Sequence, residues 1–326
     1  MSTGRDQQQK LVLDKVHEVQ KAIDTALPPG AVVPRHTDQG HFYGVPSGNV
    51  YPSVTGIIGY VKDPSIQQFD MNEALRYVEK HIPDTVVDGE LDLFKVMDML
   101  HEAKKAPRGI LMDAADIGTQ IHDRREKYYQ DWIDTDTRPD ITQYYDVNQD
   151  DIRLISAIRA LGKFCDEHEY IPIRCEMLVY SDKYQIAGTL DDLGMVNTII
   201  RKGDKKCQHD LFYDAYNTRC MKCDLKRVWQ VCLTDLKSSN QFKDSYYLQV
   251  ALYQMMFVDL TGVKPKRNFI LKTDKKDGHY KIEELKKMPS LIANAKRVIM
   301  AAQAMGKVKE IRKQSNAKKV ISIWVS

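Results

Sequence analysis

Residues 171–193 read IPIRCEMLVYSDKYQIAGTLDDL, and residues 228–237 read VWQVCLTDLK. Two apolar runs, 171–180 and 184–193, flank Ser181-Asp182-Lys183, so the first stretch predicts two strands with a tight connection. Residues 195–200 predict a third strand, and residues 228–236 alternate as a fourth. Residues 242–260 form a strongly apolar helix ended by Gly262, a helix-stop signal. A further strand over 268–273 and a helix over 289–305 follow. A strand meander, a helix, then one more strand and helix predict an α/β protein with a central mixed sheet and helices on both faces.

Upstream, residues 6–26 predict a helix, followed by a proline-rich connector with Pro28, Pro29 and Pro34. Residues 41–50 predict a hairpin whose turn chemistry is Pro46-Ser47-Gly48-Asn49. Helices are expected from there to about residue 168. One starts at Pro107, reaches about Trp132 and carries His122. Another spans 150–168, with Ile152, Ile155, Ile158, Leu161 and Phe164 on one face. No linker is long enough to require two independent domains. The expected division is an N-terminal helix and connector (1–40), a core (41–285) with an insert (201–227), and a basic C-terminal helical segment (286–326).

The chain has 326 residues, 43% hydrophobic and 29% charged, as in a globular domain. No stretch approaches the roughly 18 consecutive apolar residues of a membrane span. The first ten residues lack the apolar core of a secretory signal, so the protein is expected to stay in the compartment where it is made, the cytoplasm. The net charge is +3, with ten Lys or Arg and only Glu310 as an acid between residues 286 and 319. Further basic clusters surround Arg201, Lys202, Lys205 and Lys206, and Arg219, Lys222, Lys226 and Arg227. Such patches attract polyanions by counterion release; each one equally fits a solvated helix face. Cys165, Cys175 and Cys232 sit in apolar surroundings and read as core residues.

Asp191 and Asp235 each stand where an apolar strand turns polar. Carboxylates there are held rigid and partly solvated, which suits ligation of Mg²⁺ by oxygen. Lys237 follows Asp235 with one residue between, so both face one side while Leu236 points to the core. An ammonium there orients an attacking water and stabilises charge developing on phosphorus. The triplet alone equally describes a surface ion pair. Gln249 and Tyr253 lie one helical turn apart. Gln249 interrupts a run that otherwise reads as buried, and a buried amide needs partners; the plain alternative is a core-edge glutamine. His122 follows Gly118 by one turn, an arrangement open to a closely approaching ligand or to a structural histidine.

Taken in order, His122, Glu176, Gly188-x-x-Asp191, Asp235-x-Lys237 and Gln249-x-x-x-Tyr253 resemble the motif series of RecB-like nucleases in the PD-(D/E)XK superfamily. Tyr51-Pro52-Ser53-Val54-Thr55 is similar to the segment that opens stand-alone members, both phage exonucleases and the mitochondrial genome maintenance type. The resemblance covers residues 41–285 and implies a restriction-endonuclease-like core. It implies that His122, Asp191, Asp235 and the Leu236 carbonyl bind catalytic Mg²⁺ or Mn²⁺. By the same likeness Lys237 is the catalytic lysine, Glu176 assists the metal or its waters, and Gln249 and Tyr253 position the lysine and the strand. Ser53, Thr55 and Ser238 would lie against the DNA backbone. No G-x-x-x-x-G-K-[ST] loop is present, so the nuclease acts alone or with a helicase, single-strand-binding or recombination partner.

The insert departs from the pattern. It carries Cys207-x-His209 and Cys220-x-x-Cys223, two pairs that suit a tetrahedral structural Zn²⁺ site or stand as unligated thiols in a loop. No cysteine follows Cys232, against an iron–sulfur cluster of the kind some superfamily members hold.

The expectation is therefore a metal-dependent DNA exonuclease in recombination, repair or DNA degradation. Its rivals are a structure-specific or nicking endonuclease of the same superfamily and a catalytically inactive zinc-containing nucleic-acid-binding protein. Covalently closed circular DNA separates the first rival, and tight binding without metal-dependent cleavage marks the second.

Overall fold

Strand β6 (Ile171–Ser181) turns back into β7 (Ile186–Arg201), and the two pair antiparallel along most of their length. This computed structural model describes residues 4–37, 40–59, 64–87, 90–201, 211–222, 225–239 and 242–324. Numbering the remaining elements in chain order, β10 (Lys226–Lys237) lies antiparallel to β7 and parallel to β11 (Arg267–Thr273), and β12 (Tyr280–Glu284) closes the edge. The strand order is β12-β11-β10-β7-β6, with a small hairpin of β8 (Phe212–Asp214) and β9 (Asn217–Arg219) added at the start of β10. A parallel pair needs a crossover, and helix α6 (Asp244–Thr261) supplies it between β10 and β11. β10 is central and covered, so Val231–Leu236 are buried in an unbroken run. Residues 250–257 of α6 are all buried as well, the mark of a helix enclosed on every side. The α/β class and the mixed sheet flanked by helices are as expected.

Helix α1 (Gly4–Ala26) lays Val12, Val16, Val19 and Ile23 into the core beside Ile173, Leu193 and Met195 of the sheet. That four-residue stripe recurs every three to four positions, which is what fixes the helix face. Helix α5 (Ile152–Glu167) starts at Asp151, whose carboxylate accepts from the Arg153 amide at 2.8 Å. Ile155, Ile158, Leu161 and Phe164 are buried as expected, but Ile152 is 65% exposed. It occupies the first helical position, ahead of the buried face.

Several boundaries differ from the expectations. The predicted second and third strands are one, because Gly194 does not break β7. A Cβ there would lie 2.4 Å from the Tyr170 ring, so this glycine marks a close approach within a strand. Helix α4 (Leu93–Thr135) runs through Pro107 rather than starting at it. Its first half is rich in Leu, Met, Lys, Glu and Ala, whose helix propensity outweighs one proline. Strand β1 (Val33–Thr37) lies inside the proline-rich connector, and pairs with β2 (Gly40–Gly44), which pairs with β3 (Val50–Pro52). Pro34 is tolerated because β1 is an edge strand. Helix α7 (Met288–Trp324) continues beyond residue 305, since Gly306 alone does not end it.

The chain divides into two compact units, residues 1–61 with 124–326, and residues 62–123. The second contains helix α3 (Pro64–His81), the short hairpin of β4 (Val86–Val87) and β5 (Glu90–Leu91), and most of α4. The cut falls inside α4, just after His122 and Asp123. No described helix is long and apolar enough to cross a membrane.

Candidate metal and phosphodiester site

The β6–β7 register pairs Cys175 with Asp192 and Met177 with Leu190, which sets Glu176 opposite Asp191. Glu176 has φ +45°, a left-handed conformation that costs a non-glycine residue about 1–3 kcal/mol. Strain of that size persists only where neighbours hold it, and here Arg125 does. The Arg125 guanidinium bonds Glu176 through one terminal nitrogen; the other lies 3.2 Å from Asp192 Oδ2 and 3.7 Å from Asp191 Oδ2. Arg125 is completely buried. Burial opposes its charge, yet Asp192, Asp191 and Glu176 outweigh burial and hold the guanidinium above its ordinary value. Burial also pushes the Asp192 carboxyl well up, with Arg125 pulling the other way.

Asp191 is tied to the next strand. Its Oδ2 accepts from the Leu236 amide at 2.8 Å, where the β7–β10 ladder has ended at Asp192–Thr234. A carboxylate thus replaces the missing backbone acceptor and brings Asp191 beside Asp235-Leu236-Lys237. Lys237 Nζ lies 2.7 Å from Asp235 Oδ2 and 5.2 Å from the Tyr246 ring centre. Leu236 between them is fully buried, as alternation requires. Burial disfavours the Lys237 charge, but Asp235 and then Asp191 overcome it and hold the ammonium above its ordinary value. Two expectations need correction. Asp191 lies inside β7 and not at its end, and Asp235 is completely buried because β10 is flanked by β7 and β11. The Asp235–Lys237 pair is accordingly an interior ion pair, not a surface one.

Gln249 Nε2 donates to the Tyr253 hydroxyl at 3.2 Å; Gln249 is half-buried and Tyr253 is 3% exposed. Tyr253 explains Gly188: a Cβ at that glycine would sit 2.9 Å from the tyrosine ring and 3.2 Å from Val54. The Gly188-x-x-Asp191 spacing admits the ring at one position and supplies the carboxylate three residues on. Burial, then Asp191, push the Tyr253 hydroxyl well up, so it stays protonated. Ser53 bridges to Ala187 and caps the short helix α2 (Val54–Ile58), its Oγ accepting from the Gly56 amide at 2.9 Å. Ser53 is only 3% exposed, Thr55 is exposed, and Ser238 is half-buried after β10.

His122, Glu176 and Asp191 each offer a ligand atom, and those atoms all lie within 4.8 Å of one another. Among the described residues Asp235 is not part of that trio; its carboxylate is turned to Lys237. One imidazole and two carboxylates fit a divalent ion that accepts oxygen with some nitrogen, Mn²⁺ or Mg²⁺. Arg125 pairs with Glu176, Asp191 and Asp192, and Lys237 with Asp235.

Sequence reasoning missed Arg125 and Asp192. Arg125 stands within Asp123-Arg124-Arg125-Glu126, which reads as a solvated charge run. The one available signal is spacing: Arg125 is three residues from His122 and three from Tyr128, so it neighbours each of them on the helix surface. Cys165, Cys175 and Cys232 are buried, as expected, and burial pushes each thiol up to about 12. Of the zinc candidates, Cys220 is 3% exposed, while Cys207, His209 and Cys223 lie outside the described residues. Lys202, Lys205 and Lys206 do so as well, as do the side chains from residue 307 onward. In the third basic cluster Arg219 pairs with Asp214 and Arg227 with Glu169. No family model matches this chain, and no curated protein matches it significantly.

Proposed function

We propose that the chain is a divalent-metal-dependent DNA nuclease with a restriction-endonuclease-like core, and that it acts as an exonuclease. The observation that carries this reading is one junction: Asp191 joins the His122–Glu176–Asp191 trio on one side and the Asp235–Lys237 pair on the other through the Leu236 amide. His122, Glu176 and Asp191 would hold Mg²⁺ or Mn²⁺, with Asp235 and the Leu236 carbonyl next to them. A bound ion would supply Lewis acidity at the scissile phosphate and lower the pKa of a coordinated water.

The chain's own groups do the rest. Lys237, kept charged by Asp235, donates to the attacking water or to a phosphoryl oxygen as negative charge grows there. Tyr253, held by Gln249 and seated on Gly188, is a neutral donor facing the same carboxylates. Arg125 fixes Glu176 and Asp191 before any ligand arrives, which removes reorganisation from the reaction. Thr55 and Ser238 flank the DNA backbone in this reading, and Ser53 supports Thr55 as a cap. Cys207, His209, Cys220 and Cys223 carry a structural zinc on the sequence argument alone. DNA is the substrate, in recombination, repair or degradation, with a helicase, single-strand-binding or recombination protein as partner.

The test is digestion of end-labelled linear DNA beside covalently closed circular DNA. Linear DNA is degraded with Mg²⁺ or Mn²⁺ and is stable in EDTA, while the closed circle stays intact. Cleavage of the closed circle moves the reading to an endonuclease, and cleavage of linear DNA in EDTA removes the metal from it.

A further inference from the structure

The register of the sheet extends Lys237 sideways into a row. Lys237 pairs with Lys272 on β11, and Lys272 pairs with Lys281 on β12. Residues directly opposite on neighbouring strands project to the same face, so three lysines stand abreast. At ~4.8 Å per strand the row runs about 10 Å from Lys237 to the edge of the sheet. Two residues back along β10, Asp235 shares that face, so the row begins at the carboxylates. All these residues belong to the larger unit.

Aromatic rings from the start of α6 are set among the ammonium groups. Lys237 Nζ lies 5.2 Å from the Tyr246 ring centre, and Lys272 Nζ lies 5.9 Å from the Phe242 ring centre. Lys243, beside Phe242, is the N-cap of the helix and adds a fourth cation. Phe242, Tyr246 and Lys272 are half-buried and Lys281 is exposed, so each is open to a ligand.

Like charges abreast in a sheet repel. Burial and then Lys281 hold the Lys272 ammonium below its ordinary value, and Asp274 offsets them only in part. The acids of β12 are engaged elsewhere: the Tyr247 hydroxyl donates to Glu283, and Glu284 pairs with Arg267. Phosphates along the row relieve that repulsion and release condensed counterions. The rings select the form of the strand. A duplex keeps its base faces inside the stack, whereas a single strand offers each base to an aromatic side chain.

We propose that the row Lys237–Lys272–Lys281 carries single-stranded DNA across the sheet face beside the carboxylates, with phosphates on Lys272 and Lys281 and bases against Phe242 and Tyr246. That the row leads to or from a cleavage site rests on the nuclease reading; binding to it does not. The intact chain in EDTA is titrated against a fluorescein-labelled oligothymidylate of about ten nucleotides, followed by anisotropy. Lys281→Glu, an exposed change, and Phe242→Leu each weaken the single strand about tenfold, and each weakens a duplex of the same length less than about twofold. Lys281→Ala lowers the slope of log affinity against log salt by about 0.7. Lys281→Glu hydrolyses bis-para-nitrophenyl phosphate with Mn²⁺ at the wild-type rate, because that ester is too short to reach β12. Equal single-strand affinity in Lys281→Glu, Phe242→Leu and wild type, with hydrolysis of the ester intact, overturns the row and leaves the nuclease standing. Equal losses on single strand and duplex overturn it as well. Weakened single-strand binding in both variants, with no metal-dependent hydrolysis by the wild type, supports the row and removes the nuclease.

Discussion

Asp191→Asn and Lys237→Ala each lower metal-dependent cleavage of linear DNA by about 10²–10³-fold or more, the loss expected when a preorganised charge is removed from a transition state. The two variants fail for different reasons. Asparagine keeps a carbonyl oxygen that can accept from the Leu236 amide, so the β7–β10 junction survives and only the ligand charge is lost. Raising the Mn²⁺ concentration should therefore recover part of the Asp191→Asn activity. Lys237→Ala leaves the trio intact but removes the ammonium that faces Asp235. Metal does not rescue it, and its deficit lies in kcat rather than KM. Assays run well below the unfolding temperature separate catalysis from the stability that Lys237→Ala also loses by leaving Asp235 buried without its cation. Wild-type rates in both variants would remove the proposed chemistry.

Arg125→Met destabilises the protein by about 3–5 kcal/mol, because it strips the buried cation from three carboxylates at once. Methionine fills most of the volume, so the cost is electrostatic rather than a cavity. Adding Asp192→Asn removes one of the stranded charges. The double variant should therefore regain at least about 1 kcal/mol relative to Arg125→Met, a coupling read by denaturant unfolding of the four proteins in the cycle. A loss below about 1 kcal/mol for Arg125→Met would show that the carboxylates take up protons or solvent at little expense. Divalent metal should stabilise Arg125→Met more than wild type, since an ion then does alone what ion and guanidinium share.

The strands that carry Glu176, Asp191 and Asp235 were legible because period-two alternation and a polar connection both survive in the sequence. The helix after β10 was legible because eight buried residues in a row and Gly262 leave few alternatives. Gly194 was misread for a physical reason: a glycine in a strand looks like an interruption until the ring that occupies its missing side chain is known. The same holds for Gly188, whose purpose depends on Tyr253, sixty-five positions away. Arg125 was hidden more thoroughly. Between Arg124 and Glu126 nothing local distinguishes a buried guanidinium from a solvated one, and its partners come from β6 and β7. Asp192 is the converse case. Alternation assigns it to the face opposite Asp191, yet Arg125 lies within reach of both.

Mn²⁺ binding to the intact protein without DNA tests the central claim most directly. Electron paramagnetic resonance of free Mn²⁺ should reveal saturable uptake by the wild-type chain and a loss of about tenfold or more in affinity for Asp191→Asn. Uptake that is absent in the wild type, or equal in the two proteins, would contradict the account, because the trio would then hold no ion and the junction through Leu236 would be structural alone.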